Sequence, residues 1–451
     1  MTRHVVRALG LGLLVMAAGC VETDRVMPQP PSLDAELRAT LRNWGVVPII
    51  PQPAQDSSLV ALGQALFFDK ELSGNRDIAC ATCHNPVTAM GDGQSLPVGT
   101  GGSGIGPWRV LGPGRQFVPR NAPTLLNVAL GQPYIFWDGR VTGFGGQFQT
   151  PAGDSLPRGL PNVLTAQAMF PVTNRREMRG DPGDTDVFGK PNELAQVGDS
   201  QWTAMWRGVM LRLIAIPEYV AKFNRAFPTV PTNQLGFQHA AIAITAFETQ
   251  ALTKIDTPFD RYLGRNDDAM TSAAKRGALL FFGKAACSTC HNGPQIGAGN
   301  FVDVGVPQIG PGGAAEPPLD LGRGELQGNE FYRFAFRVAP LRNVELTGPY
   351  FHDGAYATLD AVVKHYNDVR LSLTGFDPAQ LAPELQALYH GDAGTIAAVL
   401  ERLDFRLQQP LKLTVTEQSE LVAFLKALTD PSARDLSALV PANVPSGLPV
   451  R

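Results

Sequence analysis

The sequence predicts a mainly α-helical, internally duplicated protein whose helices are joined by long loops, and three observations carry that expectation. A five-residue motif, Cys-x-x-Cys-His, occurs twice, at Cys80-Ala81-Thr82-Cys83-His84 and at Cys287-Ser288-Thr289-Cys290-His291. Apolar residues elsewhere recur at spacings of three and four, as in helices with one buried face, and no long alternation of strand type stands out. With 47 glycines and 37 prolines in 451 residues, much of the chain runs in loops, as expected where a bulky group supplies part of each core and the polypeptide wraps it.

Cys-x-x-Cys-His is the attachment site of haem c: two thiols add to the haem vinyls and the adjoining histidine is held under the iron. Zinc sites and redox dithiols also use Cys-x-x-Cys, but neither requires the histidine that follows both times here. Two covalently bound haems c are implied, each in a cytochrome c-like domain. Cys80, Cys83 and His84 hold one, and Cys287, Cys290 and His291 the other.

A chain of 451 residues, 44% of them hydrophobic, suits two or three domains with ample cores. A net charge of −3 argues against nucleic acid as a partner. Residues 1–19 read as an export signal, with Arg3 and Arg7 before an apolar run over 9–18 that is too short to span a membrane. Ala17-Ala18-Gly19-Cys20 resembles a bacterial lipoprotein box, although leucine is more usual at Ala17. Cys20 is therefore the expected lipidation site, the competing reading being a plain signal peptide with a spare thiol. The expected location is the periplasmic side of a bacterial membrane, through a lipid anchor.

In chain order, residues 20–56 form a tether and N-terminal segment, containing a short helix over 32–43 and a Pro-rich connector over 46–55. Asp56 or Ser57 caps an amphipathic helix over 59–68 that leads into the first motif. Its Gly63-x-x-x-Phe67-Phe68 recurs as Gly277-x-x-x-Phe281-Phe282 before the second. Downstream, Ala122-Pro123, Asn127-Val128 and Phe136-Trp137-Asp138-Gly139 are answered by Ala339-Pro340, Asn343-Val344 and Phe351-His352-Asp353-Gly354. This degenerate repeat predicts two similar haem domains, over 57–255 and 256–431, with an irregular tail over 432–451. Helices over 202–214, 217–227 and 235–253 lie between the motifs. Thr414 and Glu417 form a capping box for a closing helix that places Leu421, Phe424, Leu425 and Leu428 on one face.

A haem that only carries electrons takes two protein ligands, whereas one that reacts with peroxide leaves one face open. No histidine lies between His84 and His239, so the first haem has no nearby distal histidine, while Met90, Met169 and Met178 remain available. The last methionine, Met270, precedes Cys287, so the second haem draws on His352, His365, Tyr366 or His390. Tyr366 shares an apolar helical face with Leu359, Val362 and Val363, and His365 points about 100° away.

Together with the two haem motifs, Arg120-Asn121-Ala122-Pro123, Phe136-Trp137-Asp138-Gly139-Arg140, Phe259-Asp260-Arg261-Tyr262-Leu263 and Pro349-Tyr350-Phe351-His352-Asp353-Gly354 resemble the bacterial dihaem cytochrome c peroxidase family over roughly residues 57–430. The resemblance implies that the N-terminal haem binds hydrogen peroxide, that the C-terminal haem passes or stores electrons, and that Trp137 lies between them. It also implies a distal pocket drawn from Pro171-Val172-Thr173-Asn174-Arg175-Arg176-Glu177-Met178. There Pro171 shapes the site and Glu177 is the acid/base that O–O cleavage needs. It implies a calcium ion held by Asn121, Thr347 and Pro349, a set that oxygen ligands and waters make chemically adequate. Arg120, Arg140 and Arg342 are candidates for haem propionates, with ordinary ion pairing as the competing reading.

Two departures from the ordinary peroxidases are shared with the MauG-like branch: no removable histidine follows the first motif, and Tyr366 stands where methionine is typical. The expectation is a peroxidase that oxidises a protein partner. The alternatives are an ordinary cytochrome c peroxidase fed by a small cytochrome or cupredoxin, and, in a different class, a dihaem electron carrier with both irons closed.

Overall fold

A computed structural model describes residues 1–2, 31–297 and 299–450. The greater part of the export segment and the Cys20 lipidation site lie outside the described residues. The structure is mostly helical with few strands, and among the described residues no helix is long and apolar enough to cross a membrane.

Local signals set the helix boundaries. Helix α1, Leu33–Asn43, starts at Ser32, whose hydroxyl accepts the Ala35 N–H. Helix α2, Ser57–Phe68, begins two residues earlier than expected because the Asp56 carboxylate takes the N–H groups of Ser58 and Leu59, orphan donors that a first turn leaves unmatched. Helices α3 (Trp202–Ile214), α4 (Pro217–Ala226) and α5 (Phe237–Leu252) follow, α4 with proline at its first position. Helix α6, Ser272–Phe282, is capped by Thr271, and α7, Leu359–Asn367, by Thr358. Helix α8, Val415–Lys426, has the reciprocal cap between Thr414 and Glu417. The strands are short. β1 (Tyr134–Ile135), β2 (Val141–Phe144) and β3 (Gln147–Gln149) form an antiparallel sheet, and β4 (Phe301–Val302) pairs with β5 (Phe336–Arg337).

Two helix crossings organise the interior. Where α2 meets α5, a Cβ at Gly63 would stand 1.9 Å from the Ala243 carbonyl oxygen and 2.9 Å from the Phe247 Cβ. Where α6 meets α8, a Cβ at Gly277 would stand 1.8 Å from the Glu420 carbonyl oxygen and 2.9 Å from the Phe424 Cβ. Only glycine lets backbones approach this closely. Around the first crossing packs a core including Phe67, Trp206, Tyr219, Phe223 and Phe247, and around the second one including Phe259, Phe281 and Phe424.

The chain ends cross over. Leu37 and Leu41 of α1 belong to the core around α6 and α8, and Lys275 pairs with Asp34 at 2.7 Å. The tail, irregular as expected, instead buries Ala433, Leu436 and Val444 in the core around α2 and α5, with Ser446 donating to Asp69 at 2.6 Å. Burial of each large apolar side chain contributes about 1.5–3 kcal/mol, so each terminus fastens the opposite half.

Candidate functional site

Both motifs open into one connected cavity of about 820 Å³. It is lined by Cys80, Cys83 and His84 from one side and Cys287, Cys290 and His291 from the other. Protein interiors close-pack, with few voids larger than a water molecule, so space of this size marks where a prosthetic group belongs. The histidines are prepared alike. His84 Nδ1 donates to the Met90 carbonyl at 3.1 Å and His291 Nδ1 to the Ala339 carbonyl at 3.1 Å, which leaves each Nε2 for a metal. Burial pushes the Cys80 and Cys287 thiols up to about 12 and His291 down to about 4, and lowers His84. Neutral thiols and neutral imidazoles are the forms that haem attachment and ligation use, so the residues fit two haems.

The segment expected to form the distal pocket is a π-helical turn, Arg175–Arg179, after a turn over Pro171–Thr173. The Asn174 side chain caps it by accepting the N–H groups of Arg176 and Glu177. Two glycines hold it in place. A Cβ at Gly99 would stand 1.8 Å from the Arg176 carbonyl oxygen, and one at Gly74 1.8 Å from that of Arg179, while Thr100 N–H donates to Glu177 O at 2.9 Å. Pro171, Glu177 and Met178 line the cavity. Burial raises the Glu177 carboxyl above its ordinary value, opposed by the Arg140 guanidinium. Met90 and Met169 are enclosed in the core around α2 and α5, and His239 packs against Phe227 with ring centroids 4.9 Å apart.

Near the second motif the ligand candidates separate. His365 is fully engaged elsewhere: Nδ1 lies 3.0 Å from Tyr356 Oη and 3.1 Å from Ser372 Oγ, and Nε2 donates to the Val304 carbonyl at 2.9 Å. His390 Nε2 donates to the Gly310 carbonyl at 2.9 Å. His352 lines the cavity but stacks on Phe336, with ring centroids 3.5 Å apart. Tyr366 lines the cavity too, and burial followed by the nearby Cys290 and Cys287 thiols raises its hydroxyl above its ordinary value.

Trp137 lines the same cavity. Its indole N–H donates to Asn121 O at 2.9 Å, and Asn121 N–H donates to His352 O at 2.7 Å. Asn121, Thr347 and Pro349 line the cavity, and the Asn121 amide donates to Gln94 O at 2.7 Å, which aims its Oδ1 elsewhere.

The arginine candidates are committed to carboxylates. Arg120 bridges Asp138 and Asp320, Arg140 reaches Asp138 at 3.0 Å, and Arg342 reaches Asp260 at 2.6 Å. Sequence reasoning missed Arg337. This residue lines the cavity with its N–H on the Trp137 carbonyl at 2.8 Å, and burial alone lowers it to about 10. Nothing in its local sequence marks it, because only the β4–β5 pairing turns it inward. Gly74, Gly99 and Glu248 were also missed, since each matters through what segments distant in sequence bring against it.

Mostly helical architecture, two complete thioether motifs and one shared cavity define a c-type dihaem protein. A model of the di-haem cytochrome c peroxidase family matches residues 57–268. The methylamine utilization protein MauG of Methylorubrum extorquens is 31% identical over 334 residues, 74% of this chain and 75% of that protein. Cytochrome c551 peroxidase of Pseudomonas aeruginosa is 31% identical over 412 residues, 91% of this chain and 96% of that one. The crystal structure of a MauG-like protein associated with microbial copper homeostasis superposes with a TM-score of 0.60 at 25% identity, covering 88% of this chain and 98% of that one. The chain belongs to the di-haem cytochrome c peroxidase family and is a peroxidase-type oxidoreductase carrying two haems c.

Proposed function

We propose that this enzyme reduces hydrogen peroxide at the haem held by Cys80, Cys83 and His84, and draws the electrons through the haem held by Cys287, Cys290 and His291. When bound, the haems supply irons that exchange single electrons, and the first supplies the atom at which peroxide is split. Two electrons and two protons convert each peroxide to two waters. Glu177, aimed into the cavity and raised by burial, accepts the proton of the inner oxygen and returns it to the outer one. Pro171 keeps larger polar groups from that face. Trp137 is the residue that couples the two haems, a role supported by its place in the cavity wall and its tie to Asn121 and through it to the His352 backbone.

The observation that carries the finer reading is the disposition of His365 and Tyr366. With both His365 nitrogens occupied, His390 held on the Gly310 carbonyl and His352 stacked on Phe336, Tyr366 is the residue that would hold the second iron together with His291. An anionic oxygen ligand stabilises the ferric and higher states, whereas methionine raises the potential. This favours storage of an oxidising equivalent and oxidation of aromatic residues on a docked protein, in the manner of the MauG-like branch. The competing reading, turnover with a small cytochrome or cupredoxin, is favoured by the match to cytochrome c551 peroxidase over 91% of this chain.

The domains over 57–255 and 256–431 are read as copies, supported by the like crossings at Gly63 and Gly277 and by positive φ at Asn127 and Asn343 (62° and 64°) and at Phe136 and Phe351 (67° and 71°). A calcium ion on Asn121, Thr347 and Pro349, and a periplasmic, lipid-anchored location through Cys20, complete the proposal.

Ferric spectra before and after peroxide, for wild type and Tyr366→Phe, test it. A reaction of the as-isolated ferric protein and a changed second-haem spectrum in the variant are expected. An unchanged variant spectrum removes the tyrosine ligand, and fast turnover with a reduced small cytochrome points to the ordinary peroxidase.

A further inference from the structure

Helix α5 presents Ile244 and Glu248 to the cavity, and α8 presents Leu421 and Leu425. These positions correspond through the packing. Ala243 and Phe247 meet Gly63 as Glu420 and Phe424 meet Gly277, so the residues one step further on, Ile244 with Leu421 and Glu248 with Leu425, take equivalent places. An acid therefore stands in the first haem's wall where the second has leucine.

Glu248 is 4% exposed and its Oε2 has no hydrogen-bond partner among the described residues. Among the described residues no cation compensates it. Helix α2 and the short helix Val163–Ala168, which pack against α5, hold no ionisable side chain. On α3, Arg212 is spent on Glu193 and the Ser73 carbonyl, and Arg207 is exposed. The titratable group that faces Glu248 is Cys80, whose thiol the motif commits to haem. Burying an unpaired carboxylate costs several kcal/mol, and burial pushes this one up to about 8. Packing alone does not call for it, since leucine serves at the matching position.

We propose that Glu248 is the proton-storing group of the His84 haem, taking up a proton when that site gains an electron and releasing it when the electron leaves. The inference rests on the reading that this haem fills the cavity beside Cys80. The step balances: one electron comes from the reductant, one proton passes from solvent to a Glu248 carboxylate oxygen, and the cavity's net charge is unchanged. An added negative charge raises a neighbouring acid's proton affinity, and by reciprocity the proton raises the site's electron affinity by the same factor. Glu248 thereby acts on the haem through charge rather than on peroxide directly.

Spectroelectrochemical titration of the holoenzyme across a pH series tests this with wild type, Glu248→Gln and Glu248→Leu. In wild type the first haem's reduction equilibrium is expected to weaken tenfold per pH unit (about 59 mV) through the range where Glu248 titrates. Both variants should flatten that slope and leave the second haem's curve in place. A slope that survives in Glu248→Gln overturns the proposal, as does equal flattening of both haems. Infrared difference spectra of wild type supply a measurement free of folding defects: a carboxyl band should appear on reduction, and its absence overturns the proposal. A protein carrying a single haem by pyridine haemochrome would instead refute the cavity reading beneath it.

Discussion

The two haem pockets share a frame and differ in what stands on it. Each has a glycine at a helix crossing, a phenylalanine one turn later and a histidine whose Nδ1 is tied to a carbonyl. Even the asparagines agree: Asn127 N–H donates to Leu252 O and Asn343 N–H to Leu428 O, and both side-chain amides donate to Lys254 O. The walls diverge. Glu177 and Glu248 face the first site, while Tyr366 and Leu425 face the second. Asp138 lies between two arginines, whereas the matching Asp353 has an unpartnered Oδ2. Residues that set backbone approach stay alike because a Cβ would collide, while residues that only face the cavity are free to specialise.

The contrast is broken most severely at the distal face. Glu177→Gln should slow the reaction with peroxide by about 10²–10⁴-fold, measured by stopped flow. The acting form is the carboxylate, and burial raises its pKa, so wild-type reactivity should fall as the pH drops through that raised value and the variant should be flat. Full reactivity in Glu177→Gln would remove the contrast between the two faces.

The paired aspartates come next. Burial works against ionisation of Asp138, but the Arg140 and Arg120 guanidiniums hold it well below the usual carboxylate range, whereas burial holds Asp353 well above it. Asp138→Asn leaves Arg120 short of a partner and should cost about 3–5 kcal/mol in denaturant unfolding of the holoprotein. Asp353→Asn, which replaces a neutral acid, should cost about 1 kcal/mol or less. Because its folded pKa is depressed, the Asp138 contribution is present above about pH 4 and lost as the pH falls through the lowered value. Equal losses in the two variants would show that the turns are not electrostatically distinct.

The smallest expected effect sharpens the likeness. Gly63→Ala and Gly277→Ala each force a Cβ against a carbonyl oxygen, and each should cost about 1–3 kcal/mol with matching falls in melting temperature. A cost at one glycine and none at the other would separate the two crossings.

Much of this was legible in the chain. The motif spacing named the attachment sites, and Ser32, Asp56, Thr358 and the Thr414–Glu417 pair set helix starts, because a cap acts within one turn of itself. Apolar periodicity put Tyr366 on an inward face for the same reason. The arginines were only half legible: Arg120, Arg140 and Arg342 were visible as candidates, but whether each meets a carboxylate or a propionate depends on Asp320, Asp138 and Asp260 arriving from elsewhere.

By itself, then, the sequence determined the cofactor chemistry, the helices and the order of the repeat, all of which are written in residues a few positions apart. Tertiary structure alone decided that α1 packs on the second core and the tail on the first, that His365 is held away by Tyr356, Ser372 and Val304, that Arg337 lines the cavity with its Nε on the Phe136 carbonyl, and that Glu248 lines it with Oε2 unpartnered among the described residues. The physical reason is range. Helix caps and periodicity are local energies that the chain carries with it, whereas whether a buried charge is paired is settled only when segments hundreds of residues apart close around it.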